Sequence, residues 1–199
     1  MTEAAVDLVP LGWRNIASAQ HLAAGIFPHE ARMIFRNLVG SLLPRSLLPI
    51  VGGKGLASAT YQVAIASGSQ DRVVGLAGLY MLCDQPSVAW LGWYGVDARC
   101  RGRGLGRTIL RATIDEARSR NHETLRLWTT ANPTLTVAAT ELYRAFGFVR
   151  QCTDYVYYGH AVEIYSLAFK NAPTLLDPTK MPAVFVGAER RGLHRASRK

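Results

Sequence analysis

Residues 90–110 read WLGWYGVDARCRGRGLGRTIL, and arginines alternate with glycines through the second half of this stretch. The residues concerned are Arg99, Arg101, Gly102, Arg103, Gly104, Gly106 and Arg107. A run typical of a β-strand precedes them, and a run compatible with a helix follows at once. So much positive charge and backbone freedom at one point predicts a site where an anion docks.

The order of strand, glycine loop and helix has a direct physical meaning. The start of a helix leaves about four backbone N–H groups without partners, and the helix dipole makes that end partly positive. Glycine lets the backbone approach a ligand closely. Arginine adds a charge that is not lost by titration. Together these features form a cradle for phosphate oxygens.

Three phosphate-binding patterns compete for this loop. A P-loop needs lysine followed by serine or threonine, but Lys54 is followed by Gly55. A dinucleotide fingerprint beginning at Gly102 would place its last glycine at Arg107, so it also fails. The third pattern, [QR]-x-x-G-x-[GA], is met by Arg101, Gly104 and Gly106.

That third pattern belongs to a longer resemblance. The stretch WLGWYGVDARCRGRGLGRTIL resembles the acetyl-CoA-binding motif of the GNAT N-acyltransferases, and LRLWTT followed by AATELYRAFGF resembles that family's second motif. The resemblance is clear from about Arg72 to Phe169, loose for residues 1–71, and absent from the C-terminal tail. It implies a GNAT fold, which is an α+β (mixed α/β) domain with a twisted, mainly antiparallel central sheet.

The resemblance also assigns roles in cofactor binding. The loop would hold the pyrophosphate of acetyl-CoA through Arg101, Gly102, Arg103, Gly104, Leu105, Gly106 and Arg107. The strand before it would splay from its neighbour at a bulge and pair with the pantetheine arm through Tyr94, Gly95 and Val96. A basic surface loop and a weak spot in a strand are the plain alternatives. Arg99 and Arg103 can instead meet the 3′-phosphate of the cofactor or only solvent.

Tyr143 is the residue that the resemblance implicates in chemistry, as the acid that protonates the departing thiolate. An unperturbed phenol has a pKa of about 10 and a thiol about 8.5, so this transfer is uphill by roughly 2 kcal/mol in water. The helical spacing predicts that Tyr143 faces the cofactor while Leu142 faces the core. A buried aromatic residue is the alternative.

The sequence departs from the family pattern at two places. Thr136 stands where an asparagine is common, and Asn132 is a candidate to bind the cofactor in its stead. The strand VAWLGWYGV carries no carboxylate, whereas many relatives have a glutamate there that acts as the base. Five residues remain as candidate bases: Glu30, Asp84, Glu163, His29 and His122, the last of which is better explained as structural. Trp90 and Trp93 face opposite sides of this strand, and one face can line an acceptor pocket, although core packing is the simpler interpretation.

Periodicity predicts the flanking elements. We expect a strand near Val6–Leu11, helices over 13–26 and 27–39 with Gly40 just past the second, and a loop from 41 to 59. An antiparallel meander follows from Thr60 to Val96, then a helix from Leu105 to Arg120, a strand at 124–130, and a helix near 134–146. The apolar face of this last helix is expected at Ala138, Leu142, Ala145 and Phe146. A hairpin around Gly159 closes the fold, for a total of about six or seven strands and four helices.

Composition sets wider limits. The chain has 199 residues and a formal net charge of +9, which predicts one domain (1–170) and a basic tail (171–199). No apolar run is long enough to span a membrane, and no signal peptide is evident. The three cysteines, Cys83, Cys100 and Cys152, are far apart and suggest neither a disulfide framework nor a zinc site, so a cytoplasmic setting is the simplest.

The most direct interpretation is an N-acetyltransferase that moves the acetyl group of acetyl-CoA to a primary amine by direct attack, without a metal. The acceptor is a small-molecule or protein amine, and a homodimer is compatible with the sequence. A non-catalytic acyl-CoA-binding or sensor domain is the first alternative, because the strand carboxylate is missing. A nucleic-acid-binding module that uses the arginine–glycine loop and the basic tail is the second, weaker alternative.

Overall fold

The computed structural model describes residues 6–52, 55–69, 71–132, 134, 136–157, 159–169 and 189–190. These described residues form eight strands and five α-helices, so the predicted mixed α/β class is confirmed. The structure has more strands and helices than the sequence predicts. The additional elements include the four-residue helix α3 and the two-residue strand β8, which are too short to leave a periodic signal. The chain forms two compact units, residues 1–122 and 123–199.

In the first unit, four strands pair in chain order and are all antiparallel. They are β1 (Val6–Pro10), β2 (Leu56–Ala66), β3 (Val73–Leu82) and β4 (Gln85–Val96). The predicted meander is therefore confirmed. β4 begins at Gln85, earlier than the turn-forming sequence CDQPS suggests, because the turn needs only Cys83 and Asp84.

Four α-helices belong to the first unit: α1 (Ile16–Ile26), α2 (Ala31–Leu42), α3 (Leu48–Val51) and α4 (Leu105–Ser119), with a 3₁₀ turn at Ala98–Cys100. The amphipathic helix α4 buries one face, which includes Ile109, Leu110 and Ile114. A Cβ on Gly75 of β3 would lie 2.4 Å from Cδ1 of Ile109, so the glycine lets α4 approach the strand closely. This contact helps to fix the helix that follows the arginine–glycine loop.

The expectation for Gly40 is wrong. The second helix continues to Leu42, and Gly40 lies inside it. A Cβ on Gly40 would lie 3.0 Å from the Cα of Gly52, so the glycine permits close packing rather than ending the helix. The segment expected to be a loop also contains α3, and β2 begins at Leu56.

In the second unit, the strand order is β5-β7-β6-β8. The strands are β5 (Thr124–Thr130), β6 (Val149–Tyr157), β7 (His160–Ala168) and β8 (Glu189–Arg190), and each neighbouring pair is antiparallel. The predicted hairpin around Gly159 is confirmed by the pairing of Tyr157 with His160.

Helix α5 (Val137–Ala145) does not bury the face that its apolar residues predict. Its buried residues are Thr140 and Tyr143, whereas Ala138 and Ala145 are exposed and Leu142 is only half-buried. The Tyr143 ring packs against Phe148 and Tyr165, with ring centroids 5.9 and 5.7 Å away. The large aromatic side chain, with more area to bury, therefore outweighs the small alanines in setting the rotation of this short helix.

The predicted basic tail lies outside the described residues, apart from β8, which pairs with Tyr155 and Val156 of β6. Among the helices of the described segments, none has the length and the apolar character needed to cross a membrane.

Candidate functional site

The arginine–glycine loop joins β4 to α4, as predicted. Gly102 and Gly104 have φ angles of +74° and +80°, in the left-handed region that favours glycine, and a Cβ on either would have no heavy atom within 4 Å. Gly104 is the N-cap of α4, and the helix proper begins at Leu105. The N–H groups of the first turn of a helix lack intrahelical acceptors. They therefore adjoin open space next to a loop rich in arginine, which suits an oxyanion.

Asp97 modulates the charge of this loop. Its carboxylate accepts hydrogen bonds from the backbone N–H of Arg99 at 3.0 Å and from Nη2 of Arg99 at 2.9 Å, and Nη2 of Arg72 lies 3.8 Å from Oδ2. Hydrogen bonding to Arg99 lowers the pKa of Asp97 to about 2. Asp97 thus remains ionised at neutral pH and offsets part of the charge of Arg99.

The other loop arginines have different surroundings. Nε of Arg101 donates to the carbonyl oxygen of Val96 at 3.1 Å, which ties the start of the loop to the end of β4. Arg103 is exposed and forms no ion pair with any of the described residues. Its charge is therefore available to a ligand.

A surface cavity of about 390 Å³ adjoins the loop within the first unit. Three arginines contribute to its wall, and the nine lining residues are Val6, Ala66, Ser67, Arg72, Val74, Arg99, Cys100, Arg103 and Leu105. Only the hydroxyl of Ser67, the thiol of Cys100 and the guanidinium groups provide polar side-chain atoms there. The cavity is thus suited to a second anionic group close to the helix N-terminus.

The predicted bulge in β4 is present. Gly92 pairs with Gly78 and Gly95 with Leu76, so Trp93 and Tyr94 together stand opposite a single residue of β3. A Cβ on Gly95 would lie 2.8 Å from Cδ1 of Ile26, so a larger residue would have to displace that side chain at the end of α1. Burial raises the pKa of Tyr94 well above its usual value. The bulge, Gly95 and Val96 therefore immediately precede the loop, as the resemblance implies.

Tyr143 and Asn132 belong to the second unit. Tyr143 is 6% exposed, so the expectation that Leu142 is the core-facing neighbour is wrong. Oδ1 of Asn132 accepts the backbone N–H of Thr134 at 3.0 Å, and its Nδ2 lies 3.3 Å from Nε2 of His160. Thr136, at the N-cap of α5, directs its hydroxyl to the carbonyl oxygens of Thr130 and Asn132 at 3.0 and 2.7 Å. Asn132 is therefore a fixed polar group just beyond the end of β5.

The candidate bases differ in their surroundings. Glu163 is 8% exposed, forms an ion pair with Arg150 at 3.2 Å, and accepts a hydrogen bond from the Tyr165 hydroxyl at 3.1 Å. His122 is buried, and burial lowers its pKa. Asp84 lies exposed in the β3–β4 turn, and His29 and Glu30 precede α2. Glu163 is thus a paired, buried carboxylate, which fits a structural role better than that of a base.

The structure groups the loop, the bulge and the arginine-lined cavity in the first unit, and Tyr143 with Asn132 in the second. Sequence reasoning missed three participants: Asp97, Arg72 and His160. Asp97 could have been found from its position two residues before Arg99, because aspartate commonly caps a turn in this way. Arg72 and His160 gave no such local signal, since their contacts depend on strand pairing.

Residues 51–148 match the family model described as the acetyltransferase (GNAT) family. Among curated proteins, none matches the chain. Similar solved structures include a candidate GNAT acetyltransferase from Desulfovibrio desulfuricans, with 19% identity, coverage of 82% of this chain and 99% of that chain, and a TM-score of 0.66. The ribosomal-protein-S18-alanine N-acetyltransferase from Escherichia coli has 21% identity and a TM-score of 0.61, and the match covers 86% of this chain and 99% of that chain.

A chain of the NatC complex bound to Gag peptide and CoA has 17% identity, covers 83% of this chain and 99% of that chain, and gives a TM-score of 0.63. At such identities these structures establish the fold alone. The family match spans the bulge, the arginine–glycine loop, α4, β5 and α5, which are the elements that the sequence motifs predict. The chain belongs to the GNAT family of acetyltransferases.

Proposed function

We propose that this protein transfers the acetyl group of acetyl-CoA to a primary amine by direct attack of the amine on the thioester. The observation that carries the proposal is the loop at Gly102–Gly104, whose two left-handed glycines adjoin open space at the N-terminus of a fifteen-residue helix. A phosphate group fits this surrounding because backbone N–H groups and arginine charges converge there.

In this proposal the loop from Arg101 to Arg107 holds the pyrophosphate, and the backbone of Tyr94, Gly95 and Val96 pairs with the pantetheine arm. Asn132 contributes a fixed amide to the same cofactor. The cavity lined by Arg72, Arg99 and Arg103 receives the 3′-phosphate. Binding in this way restricts the motion of the thioester, which lowers the entropic cost of the attack.

Tyr143 is proposed to donate its phenolic proton to the sulfur as the thiolate leaves. The nitrogen–carbon bond forms, the carbon–sulfur bond breaks, and the proton lost by the amine passes to solvent or to a base. β4 carries no carboxylate, so no base is assigned on that strand. An acceptor amine with a pKa near 8 needs little help at neutral pH, whereas a lysine side chain near 10.4 must first lose its proton.

The direct test of the cofactor site is calorimetric titration with acetyl-CoA. Wild type is expected to bind, and Gly104→Glu to lose binding, because the new carboxylate would occupy the anion cradle. Gly159→Glu is the matched control, because Gly159 has a similar φ of +77° and equally open surroundings but lies in the β6–β7 turn. Absence of binding by folded wild type would contradict the proposal.

Turnover separates an enzyme from a sensor domain, the alternative favoured by the missing carboxylate in β4. Release of free thiol is measured with a panel of primary amines. Tyr143→Phe keeps the ring that packs against Phe148 and Tyr165, so we expect the fold to be retained and kcat to fall about 10²-fold. Cofactor binding without thiol release from any amine would support the sensor function instead.

A further inference from the structure

The strongest backbone irregularity in β4 lies at Trp93. Two residues of β4 stand opposite one residue of β3 here, and Trp93 adopts a φ of +45°. A left-handed conformation is energetically costly for a bulky residue, and it persists only where the surroundings enforce it. Such strain is concentrated at functional sites, so the contacts that hold Trp93 are informative.

Asn37 of α2 holds the indole ring in place. Nε1 of Trp93 donates to Oδ1 of Asn37 at 2.7 Å, and Nδ2 of Asn37 donates to the carbonyl oxygen of Gly52. The indole also packs edge-to-face with the ring of Phe27 at the end of α1, with centroids 5.5 Å apart and planes at 64°. Trp93 therefore joins the bulge to three segments: the end of α1, α2, and the segment after α3.

These segments are themselves held together. Nε of Arg36 donates to the carbonyl oxygen of Val51 at 3.0 Å, and Nη2 of Arg36 to that of Ile50 at 3.3 Å. Gly40 packs against Gly52 at the same junction. The indole ring is thus fixed by a network rather than by one flexible side chain.

The accessible parts of the Trp93 and Phe27 rings are apolar. The indole N–H is the only polar group of Trp93, and Asn37 already satisfies it. Trp93 and Phe27 are both half-buried, so each keeps part of its ring accessible. An aromatic face attracts apolar groups and, through its quadrupole, an ammonium ion.

We propose that Trp93 determines acceptor specificity by packing against an apolar or aromatic group attached to the acceptor amine, and that Asn37 is its positioning residue. This inference rests on the proposed function, because Trp93 directly precedes the residues proposed to pair with the pantetheine arm. It assigns the acceptor to the class of alkyl or arylalkyl primary amines, either free or as the N-terminus of a peptide with an apolar first residue.

The first experiment compares 2-phenylethylamine with ethanolamine as acceptors, using release of thiol from acetyl-CoA. For Trp93→Ala we expect kcat/KM with 2-phenylethylamine to fall about tenfold or more, and kcat/KM with ethanolamine to change less than about twofold. The Kd for acetyl-CoA is expected to remain within about twofold of wild type. Trp13→Ala is the matched control, because Trp13 is 61% exposed and lies outside this network.

The second experiment tests positioning by Asn37. Asn37→Leu removes the acceptor of the indole N–H, so the preference for 2-phenylethylamine over ethanolamine is expected to fall. Asn37→Asp keeps an oxygen in that position and is expected to retain more of the preference. In the double variant with Trp93→Ala, Asn37→Leu should have no further effect on the preference, because both act through one ring.

The outcomes separate this inference from the proposed function. Lack of acetyl-CoA binding by folded wild type would remove the proposed function itself. If acetyl-CoA binds but Trp93→Ala lowers turnover of both amines equally, the specificity role is wrong. If neither amine is turned over, binding of each amine to the CoA-loaded protein is measured by calorimetry, in wild type and in Trp93→Ala. Equal binding of both amines, or a preference that survives Trp93→Ala, would then overturn the inference.

Discussion

Asp97 controls the charge of the loop that follows β4. Its pKa of about 2 lies below the value of about 3.9 expected in the unfolded chain, so its stabilising contribution is complete above pH 4 and is lost as the pH falls towards 2. Asp97→Asn is therefore expected to destabilise the protein at pH 7 by about 1 kcal/mol, a value reduced by the solvent exposure of Arg99. Urea denaturation at pH 7 and pH 3 measures the effect. A difference between wild type and variant that does not shrink at pH 3 would contradict this explanation.

Arg126 of β5 is a basic residue that is buried in the fold. It is 7% exposed, its Nε has no hydrogen-bond partner among the described residues, and burial lowers its pKa. A buried N–H donor without an acceptor is destabilising. We expect Arg126→Met to raise the free energy of unfolding by about 1–3 kcal/mol, measured by urea denaturation. A less stable variant would show that the guanidinium has a partner that stabilises the fold.

At the scale of the element, we expect alanine substitutions of two glycines, one in α1 and one in α2, to have opposite effects on stability. Gly40→Ala would place a Cβ 3.0 Å from the backbone of Gly52, so we expect a loss of about 1–3 kcal/mol. Gly25→Ala in α1 meets no atom within 4 Å, so the higher helix propensity of alanine is expected to stabilise the protein by about 0.5–1 kcal/mol. Thermal denaturation of the two variants provides the comparison. A Gly40→Ala variant as stable as wild type would mean that α2 and the Gly52 segment are not closely packed, and a destabilising Gly25→Ala would contradict the prediction for α1.

At the scale of the whole molecule, the net charge of +9 has two separable sources. From Asn171 onward the chain carries six Lys or Arg residues against two acidic residues, while the loop arginines lie in the first unit. A chain ending at residue 170 is expected to keep its affinity for acetyl-CoA within about threefold and to lose any salt-sensitive binding of RNA or DNA. Calorimetry and electrophoretic mobility measure these two properties. Loss of acetyl-CoA binding would assign the tail a role in the cofactor site.

The sequence predicts elements well where local signals agree. The bounds of β5 match the expected strand because a β-rich run of residues is clear in the sequence there, and α4 begins at Leu105 because left-handed glycines precede it. Prediction fails where tertiary contacts decide the outcome. Gly40 carries a helix-stop signal that close packing against Gly52 overrides, and α5 is rotated by the packing of Tyr143. The loop residues of the candidate site were predictable from spacing, whereas the contact between Trp93 and Asn37 joins residues 56 positions apart.

Some glycines of the first unit are needed for packing, whereas others are needed only for the proposed binding of the cofactor. Gly75 and Gly78 are surrounded, with Ile109 and Tyr61 at 2.4 Å from a Cβ, whereas Gly102 and Gly104 face open space. A lineage that ceased to bind acetyl-CoA should therefore keep the first pair and drift at the second, mainly towards asparagine and aspartate, which tolerate positive φ. A substitution library sorted only for folded protein would reveal this asymmetry, and adding a sort for cofactor binding should restore glycine at Gly102 and Gly104. The residues at positions 102 and 104 of a descendant protein would then indicate whether it still binds acetyl-CoA.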